Sequence, residues 1–565
     1  MAEPALTSNS RTNMGFFRLA NELWLQIAAY VGAEPMDIGV YTYLSRKQYS
    51  AAMGNLRSMA SSCKRLAPIA QEQLFKSPYL FDCEQKGCEI DYMTFYFLRS
   101  ILERPDLALQ VAELRLGITG HVQCTAMGAE VTASSTVHTL EQAKHVALTT
   151  SFKNGRKTKW LNDLKAGWSG PLTGVILHLL PNLRSIHFNN SPVNYCDTFG
   201  PLFGDYRTYW SGLHMRNSRL FPPQRDETLE GLSSIQGLKN VKHLKLTTNH
   251  HPEVYGLSFL PHIKELDINL QSCGPRLLQH PHTDVKSSEF QHIEVLRIDS
   301  CIRDISLRVT VFLDNLRHLL PSFTNARSVH FYAEPPDYPH QYDFGPSHFI
   351  SLTEWCIYED SLEDHRSYHA LVSILHPLYN TLESLQLPGG FWSLPTESDW
   401  PPVALKRFSK LRHLTAPNVA LLGAGAQPRH KYWYKTWNGR EMLEEEWNYD
   451  LMKYEEVTDE MEPEDTGPHV PTHSPLDVLP STLQSLRVFE ADKITCAWLG
   501  DVFRYKESDF PELRAIEMVV TNLELKEDIP GMLDSMKEMA VGTGVVVEVK
   551  LDTSEIGGPN GKAMV

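Results

Sequence analysis

Val241-Lys242-His243-Leu244-Lys245-Leu246 and, 22 residues on, Ile263-Lys264-Glu265-Leu266-Asp267-Ile268 share one pattern: apolar, two polar, apolar, polar, apolar. The last two apolar residues are two apart, so in an extended chain they point to one face and the residue between them to the other. The first apolar residue turns in from the preceding loop. The pair predicts two short strands of one repeated unit.

The same pattern recurs outward from this pair. Clear copies are Leu183/Ile186/Phe188, Ile293/Leu296/Ile298, Ala326/Val329/Phe331, Leu382/Leu385/Leu387, Leu411/Leu414/Ala416, Leu483/Leu486/Val488 and Leu513/Ile516/Met518. Two weaker copies stand earlier, at Val111/Leu114/Leu116 and Ala143/Val146/Leu148, which makes eleven. Leu180-Pro181, Leu260-Pro261, Leu320-Pro321, Leu479-Pro480 and Phe510-Pro511 introduce several copies. Proline there stops a preceding helix and favours an extended start. Helical patterns lie between copies, at 175–180, 309–320, 369–378 and 497–505. Alternating strand and helix of this kind predicts an α/β solenoid, with parallel strands and helices on the convex side. Val545 to Leu551 reads as one more strand, after a helix near 532–539, and closes the array.

The array resembles leucine-rich repeats, whose units run to about 20–29 residues. Here the spacing is uneven, up to 72 residues between Leu411 and Leu483, so insertions are expected near 190–235, 333–368 and 417–478. The third insertion holds twelve acidic residues between Arg440 and Asp465, against two basic ones. It reads as a solvated, partly helical loop, with Trp433, Trp437 and Trp447 packing part of it.

Ahead of the repeats, Leu19, Leu23, Ile27 and Val31 recur every four residues, the stripe of an amphipathic helix ended by Gly32. Trp24 falls off that stripe and is expected to be exposed. A second helix carries Leu56, Met59, Ala60, Cys63 and Leu66. After a break near Leu66 and Ala67, a third opens at Pro68 and carries Ile69, Ala70 and Leu74. A unit this small buries little surface and needs support from a neighbour. The expected organisation is a disordered tail over 1–17, the helical module over 18–82, the repeat domain over 90–551 and a disordered tail over 552–565.

Leu19-Ala20-Asn21-Glu22-Leu23-Trp24-Leu25-Gln26-Ile27 resembles the opening of an F-box, and Leu56 to Leu74 resembles its second half. Phe97 to Leu107 resembles the segment C-terminal to the F-box in many fungal members. Ala20 stands where that family has proline, and the connector from Gly32 to Asn55 is long. The resemblance covers about an eighth of the chain. It implies docking on the Skp-family adaptor of an SCF-type (cullin-RING) ubiquitin ligase through Leu19, Glu22, Leu23, Trp24, Ile27 and Leu56. The repeats would then hold a protein substrate. The alternative is a leucine-rich-repeat scaffold outside any ligase.

In each strand the residue between the last two apolar positions faces the concave side. Down the copies these are Arg115, Ala147, His187, Lys245, Asp267, Arg297, His330, Gln386, Thr415, Arg487 and Glu517. Arg115, His187, Lys245, Asp267, Arg297, His330 and Arg487 are the candidate substrate-binding residues. Four basic against two acidic residues suits an acidic or phosphorylated segment, which arginine meets with two parallel hydrogen bonds.

Composition narrows the function classes. A formal charge of -15 over 565 residues argues against a general nucleic-acid binder. Nine scattered cysteines without a CxxC pair read as reduced thiols, and Cys83 and Cys88 lack a second ligand pair for zinc. Neither a secretory leader nor a membrane span is visible, so a cytoplasmic or nuclear location is expected. GxSxG, HExxH and an intact phosphate loop are missing, and Ala563 stands where such a loop needs Ser or Thr. A non-enzymatic protein without metal or cofactor is therefore expected.

Overall fold

Ten of the eleven copies form strands, and all thirty of their apolar residues are buried, none more than 3 % exposed. The polar residue between the last two is half-buried in every one of the ten. Alternation along a pleated strand therefore separates an apolar core face from a polar face.

The structure is a computed structural model. It describes residues 21–31, 43–81, 93–117, 134–152, 154–189, 200–203, 232–248, 260, 262–270, 290–301, 316–317, 320–334, 368–388, 403, 405–422, 445–448, 453–456, 473–520 and 523–551. The chain divides into two compact units, Met1–Gln271 and Ser272–Val565. Both are α/β, and each is built on a parallel sheet whose strands succeed one another in chain order. Both predicted tails lie outside the described residues.

The first unit opens with three helices, α1 (Asn21–Val31), α2 (Tyr43–Ser62) and α3 (Leu66–Lys76). Half of the predicted connector is thus helical. The break after α2 falls at Cys63, earlier than expected, and Leu66 and Ala67 N–H both donate to its carbonyl. Pro68 lies inside the first turn of α3, where its missing N–H has no helical partner to lose. Trp24, Ala28, Leu56, Leu66 and Ile69 form one core beneath these helices.

Strands β1 (Tyr79–Phe81), β2 (Glu113–Gly117), β3 (Ser185–Asn189), β4 (His243–Thr248) and β5 (Glu265–Leu270) make the first sheet. β1 comes directly after α3 and pairs with β2, so the helical module runs into the sheet. The copy at Ala143/Val146/Leu148 is not a strand. It lies in a helix over Ser134–Leu148, which buries Leu140, Ala143 and Ala147. Leu140, Ala143 and Ala147, three and seven residues along, share one face of a helix, and that face takes the burial. A helix over Ser169–Leu179 is buried at nine of its eleven positions. An added Cβ on its Gly174 would meet Leu202 O at 2.2 Å, and one on Gly237 would meet Leu177 O at 2.0 Å.

The second unit holds β6 (Val295–Cys301), β7 (Ser328–Glu334), β8 (Ser384–Gln386), β9 (His413–Pro417), β12 (Ser485–Phe489), β13 (Ala515–Val520) and β14 (Val546–Leu551). β14 pairs parallel to β13 and comes after a helix over Ile529–Ala540, as its sequence predicts. β10 (Glu445–Asn448) and β11 (Lys453–Glu456) lie in the acidic insertion and pair antiparallel, with Trp447 opposite Tyr454. The described part of that stretch is extended, not helical. Of the predicted proline stops, Leu320-Pro321 differs: it begins a 3-10 turn over Leu320–Phe323.

One backbone motif joins successive copies. A carbonyl just before each strand accepts two N–H groups from the next unit. Ala112 O accepts from Arg184 and Ser185, Arg184 O from Lys242 and His243, and Glu383 O from Arg412 and His413. An asparagine reinforces it: Asn182 Nδ2 donates to Leu109 O (2.8 Å), Asn240 Nδ2 to Pro181 O (2.7 Å) and Asn325 Nδ2 to Gln291 O (2.9 Å). These bonds satisfy the loop backbone where the chain enters the sheet.

Candidate interaction surfaces

The polar residues chosen from sequence become register neighbours. In the first unit Arg115 lies opposite His187, His187 opposite Lys245, and Lys245 opposite Asp267. Tyr79 extends that row on β1. In the second unit the row runs Arg297, His330, Gln386, Thr415, Arg487, Glu517 and Glu548. Ala147 leaves the row because it is in a helix, and Tyr79 and Glu548 join it.

The basic excess is partly neutralised by neighbours. Arg115 Nε donates to Glu113 Oε1 at 2.9 Å, two residues back on the same strand face. Arg487 Nε lies 3.7 Å from Glu517 Oε2, and Lys550 Nζ bridges Glu517 (3.0 Å) and Glu548 (2.9 Å). Lys245 has no carboxylate partner among the described residues. His187 sits between Arg115 and Lys245. Burial, then the Lys245, Arg115 and His243 charges, push its pKa down to about 3, with only Asp267 opposing. His187 is therefore neutral on this face.

Histidines build polar chains across the strands. His330 Nδ1 is 3.1 Å from Gln386 Oε1, and its Nε2 is 2.6 Å from Ser328 Oγ. Its ring stacks on Tyr332 at 6.4 Å. In the first unit Ser185 Oγ lies 3.1 Å from His243 Nδ1, and His243 Nε2 lies 3.0 Å from Asp267 Oδ2. Ser185, His243 and Asp267 come from three strands 58 and 24 residues apart, so no local motif could announce them.

Neither strand N–H beside this serine–histidine–aspartate chain is left to serve an oxyanion. An acyl-transfer site needs N–H donors aimed at a developing oxyanion. The Ser185 N–H donates to Ala112 O and the His243 N–H to Arg184 O, so both are spent on the repeat ladder. Among the described residues no group of three or more His, Cys, Asp or Glu side chains could hold a metal ion. Cys63 and Cys496 are free thiols, and burial pushes the Cys496 thiol up to about 12. Cys83 and Cys88 lie outside the described residues.

The helical module corrects two site residues. Trp24 is 2 % exposed and Leu56 1 %, so both belong to the core rather than to a docking surface. Trp24 lies off the leucine stripe because it, with Ala28 one turn on, faces α2 and α3. The stripe faces out instead: Leu23 is 45 % and Ile27 38 % exposed. Leu19 and the side chain of Glu22 lie outside the described residues. No helix among those described is long and apolar enough to cross a membrane. Compared with known proteins, the chain matches no family model and no curated sequence.

Proposed function

We propose that the chain is a non-catalytic substrate-recognition subunit of an SCF-type ubiquitin ligase. In this reading the three helices are an F-box-like module that docks a Skp-family adaptor, and the parallel sheets are a leucine-rich-repeat-like array that holds a protein substrate. Catalysis comes from proximity, because a held substrate meets the charged conjugating enzyme at high effective concentration.

The observation that carries the reading is the exposed pair Leu23 and Ile27. They lie one turn apart on α1, beside a core already filled by Trp24, Ala28, Leu56, Leu66 and Ile69. An apolar pair left outside a complete core is the feature a docking helix requires. The long rows of half-buried polar side chains on the sheets support the second half, because they offer adaptable contacts over many strands.

The test is co-elution of the purified full chain with a Skp-family adaptor. Wild type is expected to bind, and Leu23→Asp with Ile27→Asp to lose binding while keeping the thermal transition. A wild-type chain that never co-elutes would leave the repeat scaffold without ligase function as the reading.

A further inference from the structure

β14 ends the second sheet among the described residues, and its core layer is incomplete. Ile516, Met518 and Val520 of β13 are buried, at 0–1 % exposure. Their register neighbours Val547, Val549 and Leu551 are only half-buried, and Val546 is 71 % exposed. Every other strand of this sheet with a succeeding neighbour buries its equivalent pair. A repeat stack needs a cap on its last layer, and an open strand edge invites another strand.

The backbone states which groups are open. Val546 N–H donates to Arg514 O. In a parallel pair the N–H and C=O of alternate residues point to the same neighbour, so Val546, Glu548 and Lys550 face β13. Val547, Val549 and Leu551 therefore present their N–H and C=O groups outward.

We propose that this edge pairs with β14 of a second copy of the chain, antiparallel and centred on Val549. That register sets Val549 opposite its own counterpart and Val547 opposite Leu551, all with outward backbone groups, as the hydrogen-bonded pairs of an antiparallel ladder require. It continues the half-buried apolar row of one copy into that of the other. On the polar face it sets Glu548 opposite Lys550 in both directions, so the charges are self-complementary about the two-fold axis. Shifting the register by two residues places Glu548 opposite Glu548 or Lys550 opposite Lys550, which like-charge repulsion disfavours. The strand is thus matched to itself in a single alignment.

Sedimentation velocity of the full chain over a concentration series tests this. Wild type is expected to show a monomer–dimer equilibrium, and Val549→Pro to lose the dimer. That substitution deletes an N–H that β13 does not use, at an edge where proline is tolerated. Unchanged circular dichroism and thermal transition confirm that the fold is kept. A register test stands beside it. In the proposed dimer the two residues 549 have Cα atoms about 5.5 Å apart, within disulfide reach. The two residues 547 are about 14 Å apart. Under oxidised glutathione Val549→Cys should cross-link and Val547→Cys and wild type should not. A wild type that stays monomeric, a dimer that survives Val549→Pro, or equal cross-linking at both positions would each overturn the proposal.

Discussion

Leu23 and Trp24 are consecutive residues of α1, and they are 45 % and 2 % exposed. One helical step of about 100° separates a side chain in solvent from one at the centre of a core. The module therefore has two separable tasks, folding on the tryptophan face and contact on the leucine face. Trp24→Ala should destabilise the module by about 3–5 kcal/mol, the range for emptying a large aromatic site. Leu23→Asp should leave stability within about 0.5 kcal/mol, as a surface change does. Urea unfolding monitored by Trp fluorescence and circular dichroism checks both.

The repeat strands are legible in the sequence because their signal is chemical and local. Thirty apolar positions in ten copies, including those of the pair at Val241 and Ile263, land in the core. A fourth buried column is harder to see, three residues before the first apolar one: Leu180, Leu238, Leu260, Phe290, Phe323, Phe408 and Phe510. At three of the seven, Leu180, Leu260 and Phe510, its trace in the sequence is a Leu-Pro or Phe-Pro step, where the proline draws attention from the apolar residue before it. Ala143/Val146/Leu148 misleads because it matches the repeat pattern residue for residue, whereas the buried face is Leu140, Ala143 and Ala147 and leaves Leu148 exposed. Trp24 misleads for another reason. Which face of an amphipathic helix turns inward is settled by what α2 and α3 bring to it, and periodicity within α1 cannot say. The candidate row is legible in its order across strands but not in its side-chain partners, since the Arg115–Glu113 and His243–Asp267 contacts depend on side-chain reach.

Gly237 tests the close packing of the first unit. A methyl group there would lie 2.0 Å from Leu177 O, on the C-terminal turn of a helix buried at nine of its eleven positions. Neither backbone can yield without moving the helical turn it belongs to. Gly237→Ala should destabilise by about 1–3 kcal/mol, the usual cost of overpacking. Gly155→Ala, where a Cβ meets nothing within 4 Å, is the control and should be neutral or slightly stabilising. Chemical denaturation of the two variants side by side measures the difference.

His187 gives the first unit a pH dependence. Its folded pKa is depressed to about 3, below its ordinary value near 6.5. Above pH 6.5 folded and unfolded chains both hold it neutral. As pH falls below 6.5 the unfolded chain takes up a proton that the folded chain refuses, so stability declines down to about pH 3. His187→Gln should flatten that decline, and the wild-type-minus-variant stability should fall between pH 7.5 and pH 4.5. Urea midpoints at the two pH values decide it. An unchanged difference would mean that the folded chain takes up this proton as readily as the unfolded one.

Lys245 and Arg297 test whether the polar rows attract an acidic cargo. Lys245 has no carboxylate partner among the described residues, whereas Arg115 spends its Nε on Glu113. Reversing Lys245 and Arg297 to Glu together changes the charge by four units at half-buried strand positions and should not disturb the core. If the rows recognise an acidic or phosphorylated segment, substrate capture by the full chain should fall at least about tenfold, as loss of charge-assisted contacts worth some 1.5–3 kcal/mol implies. Capture at wild-type levels would assign recognition to other surfaces.

Ser185 separates the binding reading from an enzymatic one. Its hydroxyl touches His243, and His243 touches Asp267, so the chain of contacts alone would suit a nucleophile. What the strand denies it is an oxyanion site. Its own N–H is committed to Ala112 O, and the N–H of the next strand's His243 to Arg184 O. Freeing either one would break the joint between two repeat units, which costs backbone hydrogen bonds in a buried setting. A fluorophosphonate probe, which reports serines activated by a base and stabilised at the oxyanion, should leave Ser185 unlabelled in the native chain. Labelling at Ser185 that vanishes in His243→Ala would make these residues a catalytic centre, and the sheet would have to open at β3 to supply the donors.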